Sequence, residues 1–346
     1  MIVATGSKVS LRHAELADRE RAYAWLARSD LTPAFLGLPL YPDHPVPTYE
    51  AFCEDYLPFF FDGTRPFDGR ALVIQADGVD VGFLSHGPIS LLHDVAEIDL
   101  WFAARALCGK GRGAEALALA CSWMQVTFGI DRFLLRPSRR NVHALRAIRR
   151  AGFRETDLAA ADVIRQLQLP PGEYADEVLL FRTLPAPSAR LRARQDQLYV
   201  FIDSEFTSLI EPRLISLAAV ATDGASFYCE LSDWPRSSCS QFVRSTVLPL
   251  LDGDAVPHPV AADSFVRWLG ERAEKTPVTL VSDSGFDRWA LADLLGREDL
   301  PPGCAWLRVP IHYEQLDAAV AGLGLRRHHA LDDARALRQI ILEEQH

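Results

Sequence analysis

The chain has 346 residues, of which 49% are hydrophobic, and a formal net charge of −10. This length suits two domains, and the apolar content is ample for packed cores. No apolar stretch approaches the ~20 residues that cross a bilayer, and the first residues lack the charged-then-apolar order of a signal peptide. The six cysteines show no zinc-like or CxxC spacing. A soluble cytoplasmic protein without a membrane partner is expected, and its oligomeric state is left open.

A glycine-rich segment lies between a predicted strand at residues 97–102 and a predicted helix at residues 116–124. Its residues are Cys108, Gly109, Lys110, Gly111, Arg112, Gly113 and Ala114. Glycines let backbone amides approach an anion, and a helix N-terminus favours negative charge, so the segment predicts a phosphate site. Its spacing matches neither a Walker A loop nor a dinucleotide-binding loop. An ordinary glycine turn without a ligand is the alternative interpretation.

Three further signals follow this loop: a strand-like segment at residues 131–138, Asn141 before an amphipathic segment, and an Ala-Gly-Phe turn that ends at Phe153. Over residues 8–183 this order resembles the GNAT acetyltransferases, and among them the aminoglycoside 6′-N-acetyltransferases. The resemblance implies a GNAT fold that binds acetyl-CoA. It places the pyrophosphate of acetyl-CoA on the loop from Cys108 to Ala114, with Asn141 also at the cofactor.

The same resemblance implies a small primary amine, such as an aminoglycoside, as the acetyl acceptor. Asp99 would accept the proton of the ammonium group or hold the amine, and Tyr56 would line the acceptor pocket. The alternative for Asp99 is an ordinary polar position on the exposed face of a half-buried strand. Ile148 stands where many relatives carry a tyrosine that acts as an acid for the departing thiolate. This departure leaves open a non-catalytic acyl-CoA-binding or recognition module.

Prolines and alternating arginines interrupt the apolar periodicity between residues 184 and 194. They predict an N-terminal domain at residues 1–184, a linker at residues 185–197 and a C-terminal domain at residues 198–346. The C-terminal domain carries 22 acidic and 13 basic side chains. Such acidity argues against tight, salt-driven binding of long duplexes, because that affinity comes from clustered lysine and arginine. Short single strands remain compatible with it.

Carboxylates in the C-terminal half form a pattern for which two-metal phosphodiester hydrolysis is the best candidate chemistry. Residues 199–206 have the composition of a strand, and its period of two places Asp203 and Glu205 on one face. Ser284 begins a predicted turn into an amphipathic helix, and Asp287 lies in the first turn of that helix. Two carboxylates of the strand therefore converge on one point, and a third is a candidate to join them.

The last predicted helix adds a fourth carboxylate. Its apolar stripe has helical spacing and consists of Ala330, Ala334, Leu337 and Ile341. Asp333 lies at the edge of this stripe, whereas Asp332 points elsewhere. A carboxylate aimed at the interior must be paired or bound to a cation, so Asp333 is the predicted ligand.

Three motifs carry a second resemblance: Asp203-Ser204-Glu205, Phe286-Asp287, and the segment from His328 to Ala334. Over residues 198–346 they resemble the 3′-to-5′ exonucleases of the DEDD superfamily, in the branch with a histidine in its third motif. The small bacterial exoribonucleases of that branch are the most similar in pattern. The resemblance implies a ribonuclease H-like fold, His328 as the general base, and short single-stranded RNA or DNA as the substrate. It also implies two Mg²⁺ or Mn²⁺ ions, which would be held by Asp203, Glu205, Asp287 and Asp333.

The chemistry of these side chains agrees with that allocation, because oxygen ligands suit hard ions and an ordinary histidine pKa of ~6.5 suits a base. Two neighbours compete for the assignment: His329 beside His328, and Asp283, which could replace Asp287 at the metal. The sequence thus predicts an α/β protein that joins an N-acetyltransferase to a metal-dependent exonuclease. The runner-up is an active exonuclease with a non-catalytic GNAT module. The choice between RNA and DNA stays open.

Overall fold

A computed structural model describes residues 1–186, 191–192, 194, 196–297 and 299–343. The chain divides into an N-terminal unit of Met1–Gln125 and Ile130–Pro185, and a C-terminal unit of Val126–Gly129 and Ala186–His346. Both units mix helices with strands, as the predicted α/β class requires. The predicted linker at residues 185–197 lies partly outside the described residues. Among the described helices, none has the length and apolar character needed to span a membrane.

The described part of the N-terminal unit contains the following elements. The strands are β1 (Ile2–Thr5), β2 (Ser10–His13), β3 (Arg70–Ala76), β4 (Val79–His86), β5 (Val95–Phe102), β6 (Arg132–Leu135), β7 (Arg154–Glu155) and β8 (Leu180–Thr183). The helices are α1 (Arg19–Ala27), α2 (Thr32–Phe35), α3 (Tyr49–Asp55), α4 (Phe59–Asp62), α5 (Arg112–Phe128), α6 (Val142–Arg150) and α7 (Ala160–Leu167). Single 3-10 turns cover Leu16–Asp18 and Arg105–Leu107.

The sheet of this unit has the strand order β1-β2-β3-β4-β5-β6-β8-β7. Strand β5 is antiparallel to β4 as far as Phe102, but its parallel pairing with β6 ends at Glu97. Beyond Glu97, strand β5 is therefore paired with β4 alone. Side chains alternate along β5, with Ala96 and Ile98 buried and Asp99 exposed on the opposite face. The exposed face of β5, at the part that β6 does not pair, is therefore a candidate site within the sheet.

The described part of the C-terminal unit contains a second set of elements. The strands are β9 (Leu191–Arg192), β10 (Leu198–Phe206), β11 (Leu214–Ala221), β12 (Ser226–Leu231), β13 (Ala255–Val256), β14 (Val278–Ser282), β15 (Cys304–Arg308) and β16 (Leu342–Glu343). The helices are α8 (His258–Ala273), α9 (Gly285–Leu295), α10 (Tyr313–Leu323) and α11 (Ala330–Ile341). Short 3-10 turns cover Arg236–Ser238 and Leu248–Leu250, and a π-helical turn covers Val243–Val247.

The main sheet of the C-terminal unit has the strand order β13-β12-β11-β10-β14-β15. Strand β10 is antiparallel to β11 and parallel to β14. Its Ile202 packs in one cluster with Phe265 of α8 and Leu291 of α9. Its Phe201 packs in another cluster with Leu337 of α11. Helices thus cover both faces of the sheet, which explains why β11 is buried along its whole length and is apolar except for Ser216.

This arrangement confirms the three elements that carry the predicted metal ligands. Strand β10 covers the predicted strand, and its alternation puts Asp203 and Glu205 on the face of Phe201, which is the α11 face. Helix α9 begins after Ser284, whose Oγ accepts a hydrogen bond from the Phe286 N–H at 3.1 Å. Helix α11 buries its predicted apolar stripe against the sheet.

Candidate functional site

The glycine loop of the N-terminal unit leads directly into helix α5. Gly109 and Gly111 have φ angles of 81° and 80°, a region that side chains with a Cβ rarely adopt. A Cβ on Gly111 would lie 2.7 Å from Lys8 Nζ. Helix α5 has 17 residues and begins at Arg112, so its first backbone N–H groups lack helical partners and carry the positive end of the helix dipole. The loop, the helix start and the Lys8 ammonium together can hold a phosphate-bearing ligand.

Glu115 fixes the chain that carries Lys8. Its carboxylate accepts hydrogen bonds from the backbone N–H groups of Ser7, Lys8 and Val9 at 3.0, 2.7 and 2.9 Å. It also accepts a bond from Ser7 Oγ at 2.7 Å. Burial opposes ionisation, but these hydrogen bonds outweigh it and lower the pKa of Glu115. The first turn of α5 therefore holds the segment from Ser7 to Val9 against the glycine loop.

Three other positions predicted around this loop have defined surroundings. Asn141 caps helix α6, because its Oδ1 accepts a hydrogen bond from the Ala144 N–H at 3.1 Å. Ile148, on the same helix, is buried and offers no acid. Burial raises the pKa of the Cys108 thiol, so the thiol stays protonated near neutrality. The roles of Asn141 and Cys108 towards a cofactor stay predictions.

Acidic side chains surround Asp99 on the open face of β5. Asp99 is exposed to solvent, but neighbouring protein atoms partly enclose its carboxylate. This enclosure raises the pKa of Asp99 well above its usual value, and the charges of Glu173 and Glu97 add to the effect. Arg136 opposes it, and the Arg136 Nη1 lies 3.5 Å from Glu97 Oε2. Asp99 is therefore a carboxylate with an increased affinity for protons.

Two tyrosines adjoin the same carboxylates. Tyr56 Oη lies 3.2 Å from Ser85 Oγ, and Ser85 is directly opposite Asp99 in the pairing of β4 with β5. Burial first, and then the charge of Asp99, raises the pKa of Tyr56. Burial and the charges of Glu173 and Asp99 raise the pKa of Tyr174 in the same way. Neutral phenols beside several carboxylates suit a cationic amine. Sequence reasoning missed Glu173 and Tyr174, because the loop before β8 has no periodic pattern.

A cluster of carboxylates lies where the parallel strands β10 and β14 end. Oxygen atoms of Asp203, Asp283 and Asp287 lie within 4.8 Å of one another. The same limit encloses ligand atoms of Glu205, His328 and Asp333. The four predicted ligands thus fall into two groups, one with Asp203 and Asp287 and one with Glu205 and Asp333. The charges of the second group also raise the pKa of Asp203, so the two groups are neighbours. Asp283 does not exclude Asp287, because both enter the cluster. We call these five carboxylates the acidic cluster.

Two oxygen atoms of the acidic cluster are buried without a hydrogen-bond partner among the described residues. Ser204 Oγ donates to Asp287 Oδ1 at 2.7 Å, whereas Asp287 Oδ2 has no such donor. Asp333 Oδ2 accepts from the His328 N–H at 3.0 Å and from Arg327 Nη1, whereas Asp333 Oδ1 has no such donor. A buried carboxylate oxygen without a partner is unfavourable. Both oxygens are therefore suited to bind a cation.

The pKa values of the cluster carboxylates also indicate that a cation is the suitable ligand. Burial and then the neighbouring carboxylates raise the pKa of Asp203 and Asp287 well above their usual value. Burial and the charge of Asp333 raise the pKa of Glu205 to about 8. Burial also raises the pKa of Asp333 to about 6, against the effect of Arg327. Hard divalent ions prefer such oxygen ligands and remove the repulsion between them. The residues present therefore fit Mg²⁺ or Mn²⁺.

The two neighbouring histidines have different surroundings. His328 belongs to the ligand group of Glu205 and Asp333, and its ring packs edge-on against Phe242 at 5.0 Å. Burial and then the charge of Arg327 lower the pKa of His328, so its imidazole is neutral at neutral pH. His329 is buried, with its ring 4.9 Å from that of Tyr228. Only His328 is grouped with cluster carboxylates among the described residues.

The two neighbouring aspartates of α11 are both buried, which the apolar stripe alone does not predict. Asp332 accepts from Arg326 Nε at 2.8 Å and from Arg335 Nη1 at 3.0 Å, so its charge is compensated outside the cluster. Asp333 reaches the cluster, where the guanidinium of Arg327 contacts it. Sequence reasoning missed Arg327, although a cation directly before His328 could have signalled a partner for Asp333.

Residues 8–154 match the acetyltransferase (GNAT) domain family, so the N-terminal unit contains a GNAT domain. This match confirms the predicted class of the N-terminal half. None of the curated proteins matches the chain.

Several solved structures are similar to part of the chain. One is AAC(6′)-Ib with paromomycin and acetyl-CoA, at 20% identity and a TM-score of 0.38, covering 51% of this chain and 94% of that one. A second is an acetyltransferase that modifies the N-terminal serine of ribosomal protein L7/L12 from Salmonella typhimurium, at 16% identity, TM-score 0.42, and coverage of 54% and 100%. A third is a Vibrio cholerae spermidine N-acetyltransferase with CoA and spermine, at 16% identity, TM-score 0.38, and coverage of 51% and 96%.

The raised pKa of Glu205 predicts a pH dependence of stability in the absence of metal. The folded state holds this proton up to a pH of about 8, whereas an ordinary glutamate loses it near 4.5. The stability that this proton contributes is complete below 4.5 and is lost as the pH rises towards 8. Glu205→Gln removes the titration, so its melting temperature in EDTA should rise relative to wild type between pH 5 and pH 8.

The control for this measurement is Glu271→Gln on the exposed side of α8. The difference in melting temperature between this variant and wild type should stay constant with pH. If the difference for Glu205→Gln is also constant with pH, the raised pKa of Glu205 is contradicted.

Proposed function

We propose that the C-terminal unit is a metal-dependent 3′-to-5′ exonuclease that acts on short single-stranded RNA or DNA. The observation that carries this proposal is the acidic cluster, with two buried carboxylate oxygens that have no donor among the described residues and with His328 beside it. The strand order around β10 supports a ribonuclease H-like fold, since β10 is antiparallel to β11 on one side and parallel to β14 on the other.

Asp203, Glu205, Asp287 and Asp333 would hold two Mg²⁺ or Mn²⁺ ions. When bound, such ions lower the pKa of a water molecule and neutralise charge on the phosphodiester. His328 would accept the proton of that water, since its lowered pKa keeps the imidazole neutral and able to act as a base. Ser204 holds Asp287 by its Oδ1 and leaves the other oxygen for the ion.

One exposed aromatic side chain beside the cluster, and a partly buried one near it, support a single-stranded substrate. Phe242 is 52% exposed and contacts the ring of His328. Phe206, at the end of β10, stacks on Phe286 with ring centroids 4.8 Å apart. Unpaired bases stack on such aromatic surfaces without a strict sequence preference. The acidity of this unit also disfavours long duplexes, whose phosphates require many basic contacts.

Loss of one ligand or of the base should stop the nuclease without unfolding it. Asp287→Asn should reduce Mn²⁺-dependent release of nucleotides from labelled oligonucleotides below detection, because it removes an anionic ligand. His328→Ala should slow release by ~100-fold or more. Asp263→Asn, at an exposed position of α8, is the matched control and should cleave like wild type. Cleavage by wild type in EDTA, or by Asp287→Asn at the normal rate, would rule out this proposal.

We further propose that the N-terminal unit transfers the acetyl group of acetyl-CoA to a small, positively charged primary amine, such as an aminoglycoside or a polyamine. The GNAT domain and its glycine loop support the donor. The carboxylates around Asp99 support the acceptor, because a negative cleft concentrates a cation.

In this reaction Asp99 would accept the proton of the acceptor ammonium, directly or through water, or hold the amine for attack. Bound acetyl-CoA supplies a thioester, at which the C–N amide bond forms as the C–S bond breaks. The tyrosine expected by resemblance as proton donor is replaced by the buried Ile148. Solvent or another group would therefore return the proton to the thiolate. The second candidate is a GNAT unit that binds acyl-CoA without turnover, and the buried apolar side chain of Ile148 favours it.

Replacing Gly111 should abolish the binding of acetyl-CoA and leave the rest of the protein intact. Gly111→Val places a branched side chain against Lys8 Nζ in a backbone conformation that valine avoids, so the loop should lose acetyl-CoA. Titration calorimetry of the full chain should show binding for wild type and none for the variant. Gly224→Val is the control, since Gly224 has a φ of 88° and open space around it in the other unit. Absence of binding to wild type at millimolar acetyl-CoA would refute the acetyltransferase.

The charge of the acceptor cleft predicts both a mutational and a salt effect. Asp99→Asn should lower kcat with polyamine or aminoglycoside acceptors more than it raises KM, because a base acts in the transition state. Turnover by wild type should fall as ionic strength rises. Asp162→Asn removes an exposed carboxylate of α7 and should change neither kcat nor the salt dependence of turnover. Acetylation of neutral amines in preference to polycations would contradict the cationic acceptor. Binding of acetyl-CoA without turnover on any amine would favour the non-catalytic module.

A further inference from the structure

Arginines are concentrated around helix α6. Residues 136–154 include seven arginines and no acidic residue, although the whole chain has a formal net charge of −10. Arg136 and Arg140 are each compensated by two carboxylates of the N-terminal unit. The other five form a group that we call the basic face: Arg139, Arg146, Arg149, Arg150 and Arg154.

Helix α6 directs three of these arginines to one side. Arg149 and Arg150 follow Arg146 by three and four residues, so all three lie on the same face of the helix. The three arginines are exposed, whereas Leu145 and Ile148 of the same helix are buried. Arg146 and Arg150 are ~6 Å apart along the helix axis, because each residue advances an α-helix by ~1.5 Å. The exposed side of α6 is therefore a short row of cations.

Glu155 connects the two ends of this row. Its carboxylate accepts hydrogen bonds from Arg139 Nη2 at 2.9 Å and from Arg149 Nη2 at 3.2 Å. The Nη1 of Arg154 donates to the Arg149 carbonyl at 3.3 Å and to the Phe153 carbonyl at 3.0 Å. The side chains of Arg139 and Arg149 nevertheless stay 62% and 51% exposed. These arginines are held in place and can still contact a partner.

The arginines of the basic face outnumber the carboxylates that pair with them. Within the part of the chain that the structure describes, Glu155 is the only carboxylate that forms an ion pair with any of the five. Arg146 and Arg150 have no ion pair in that part of the chain, and the exposed Asp157 forms none with the five. Like charges spaced by three or four residues destabilise a helix, so a bound anion would stabilise this arrangement.

A row of arginines suits a row of phosphates. A guanidinium binds phosphate oxygens through two parallel hydrogen bonds, and a nucleic acid presents one phosphate after another along its backbone. Acetyl-CoA also carries phosphates, and its proposed loop adjoins α6, since a Cβ on Gly113 would lie 3.9 Å from the Ala147 Cβ. The basic face extends further than that contact, because Arg139 precedes the helix and Arg154 follows it. A long polyanion therefore fits the whole face better than the cofactor does.

We propose that the basic face of the N-terminal unit binds the phosphate backbone of single-stranded nucleic acid. The choice of this polyanion rests on the proposed nuclease function. The unit that carries the nuclease has 22 acidic and 13 basic side chains, and so is poor in cations for substrate phosphates. Contacts to phosphates do not read the bases, so this binding is independent of sequence and weakens with salt.

The test is fluorescence anisotropy of the full chain with a labelled single-stranded RNA of roughly 20 nucleotides, in EDTA so that metal-dependent cleavage is prevented. The variant combines Arg146→Gln with Arg150→Gln, which removes two cations that hold no part of the fold by an ion pair. Its dissociation constant at about 0.1 M salt should rise about tenfold or more. The slope of log affinity against log salt should become shallower by about 1.4, because each phosphate contact on a single strand contributes about 0.7.

Two control variants separate the place of the charge from its amount. Arg146→Lys with Arg150→Lys keeps both charges, so it should keep the salt slope and lose at most about threefold in affinity. Arg165→Gln with Arg267→Gln makes the same change in net charge at exposed positions of α7 and α8. That pair should bind the RNA within about threefold of wild type. The glutamine variant of the basic face should also bind acetyl-CoA within about threefold of wild type in calorimetry.

The outcomes distinguish the basic face from the nuclease. Equal RNA binding by wild type and the glutamine variant, or an equal loss in the Arg165 and Arg267 control, would overturn the basic face and leave the nuclease standing. Loss of acetyl-CoA binding with RNA binding retained would assign these arginines to the cofactor and overturn the inference as well. RNA binding that depends on the face, without cleavage when Mn²⁺ is added, would support the inference and overturn the nuclease.

Discussion

Repulsion among carboxylates at the ends of β10 and β14 is the constraint around which the C-terminal unit is organised. A helix N-terminus supplies Asp287, a second helix supplies Asp333, and the central strand supplies Asp203 and Glu205. Both faces of the sheet are covered by helices, so these charges have little water to screen them. Such a group requires protons or cations that compensate its charge. Arg327 supplies one cation within the described residues, and the remaining negative charge supports the proposed binding of metal.

The N-terminal unit also gathers carboxylates, but in a position that is more exposed to solvent. Its carboxylates around Asp99 line an open face of β5 rather than a covered one, so solvent and a bound amine can both reach them. Asp99 lies on the part of β5 that β6 no longer pairs. Both candidate sites thus lie where regular strand pairing stops, one after the paired part of β10 and β14 and the other on the part of β5 that β6 does not pair.

Most of the acidic cluster could be predicted because its residues obey short-range rules. The period of two in β10 gave Asp203 and Glu205 one face, and the helical stripe of α11 singled out Asp333 over Asp332. Asp283, Arg327 and Glu173 follow no such period. Asp283 follows the end of a strand, Arg327 lies in the turn before α11, and Glu173 lies in a loop, so their positions depend on tertiary packing. The sequence also could not show that Asp332 is buried, because its compensation by Arg326 and Arg335 is a matter of side-chain direction.

The carboxylate of Glu115 has a practical consequence for handling the protein. It accepts three backbone N–H bonds and one hydroxyl bond from the chain between Ser7 and Val9, and it belongs to the first turn of the helix that follows the glycine loop. A shortened expression product that starts after Val9 would leave this carboxylate without those donors. Trimming the first strand would therefore alter the glycine loop and would not merely remove a dispensable tail.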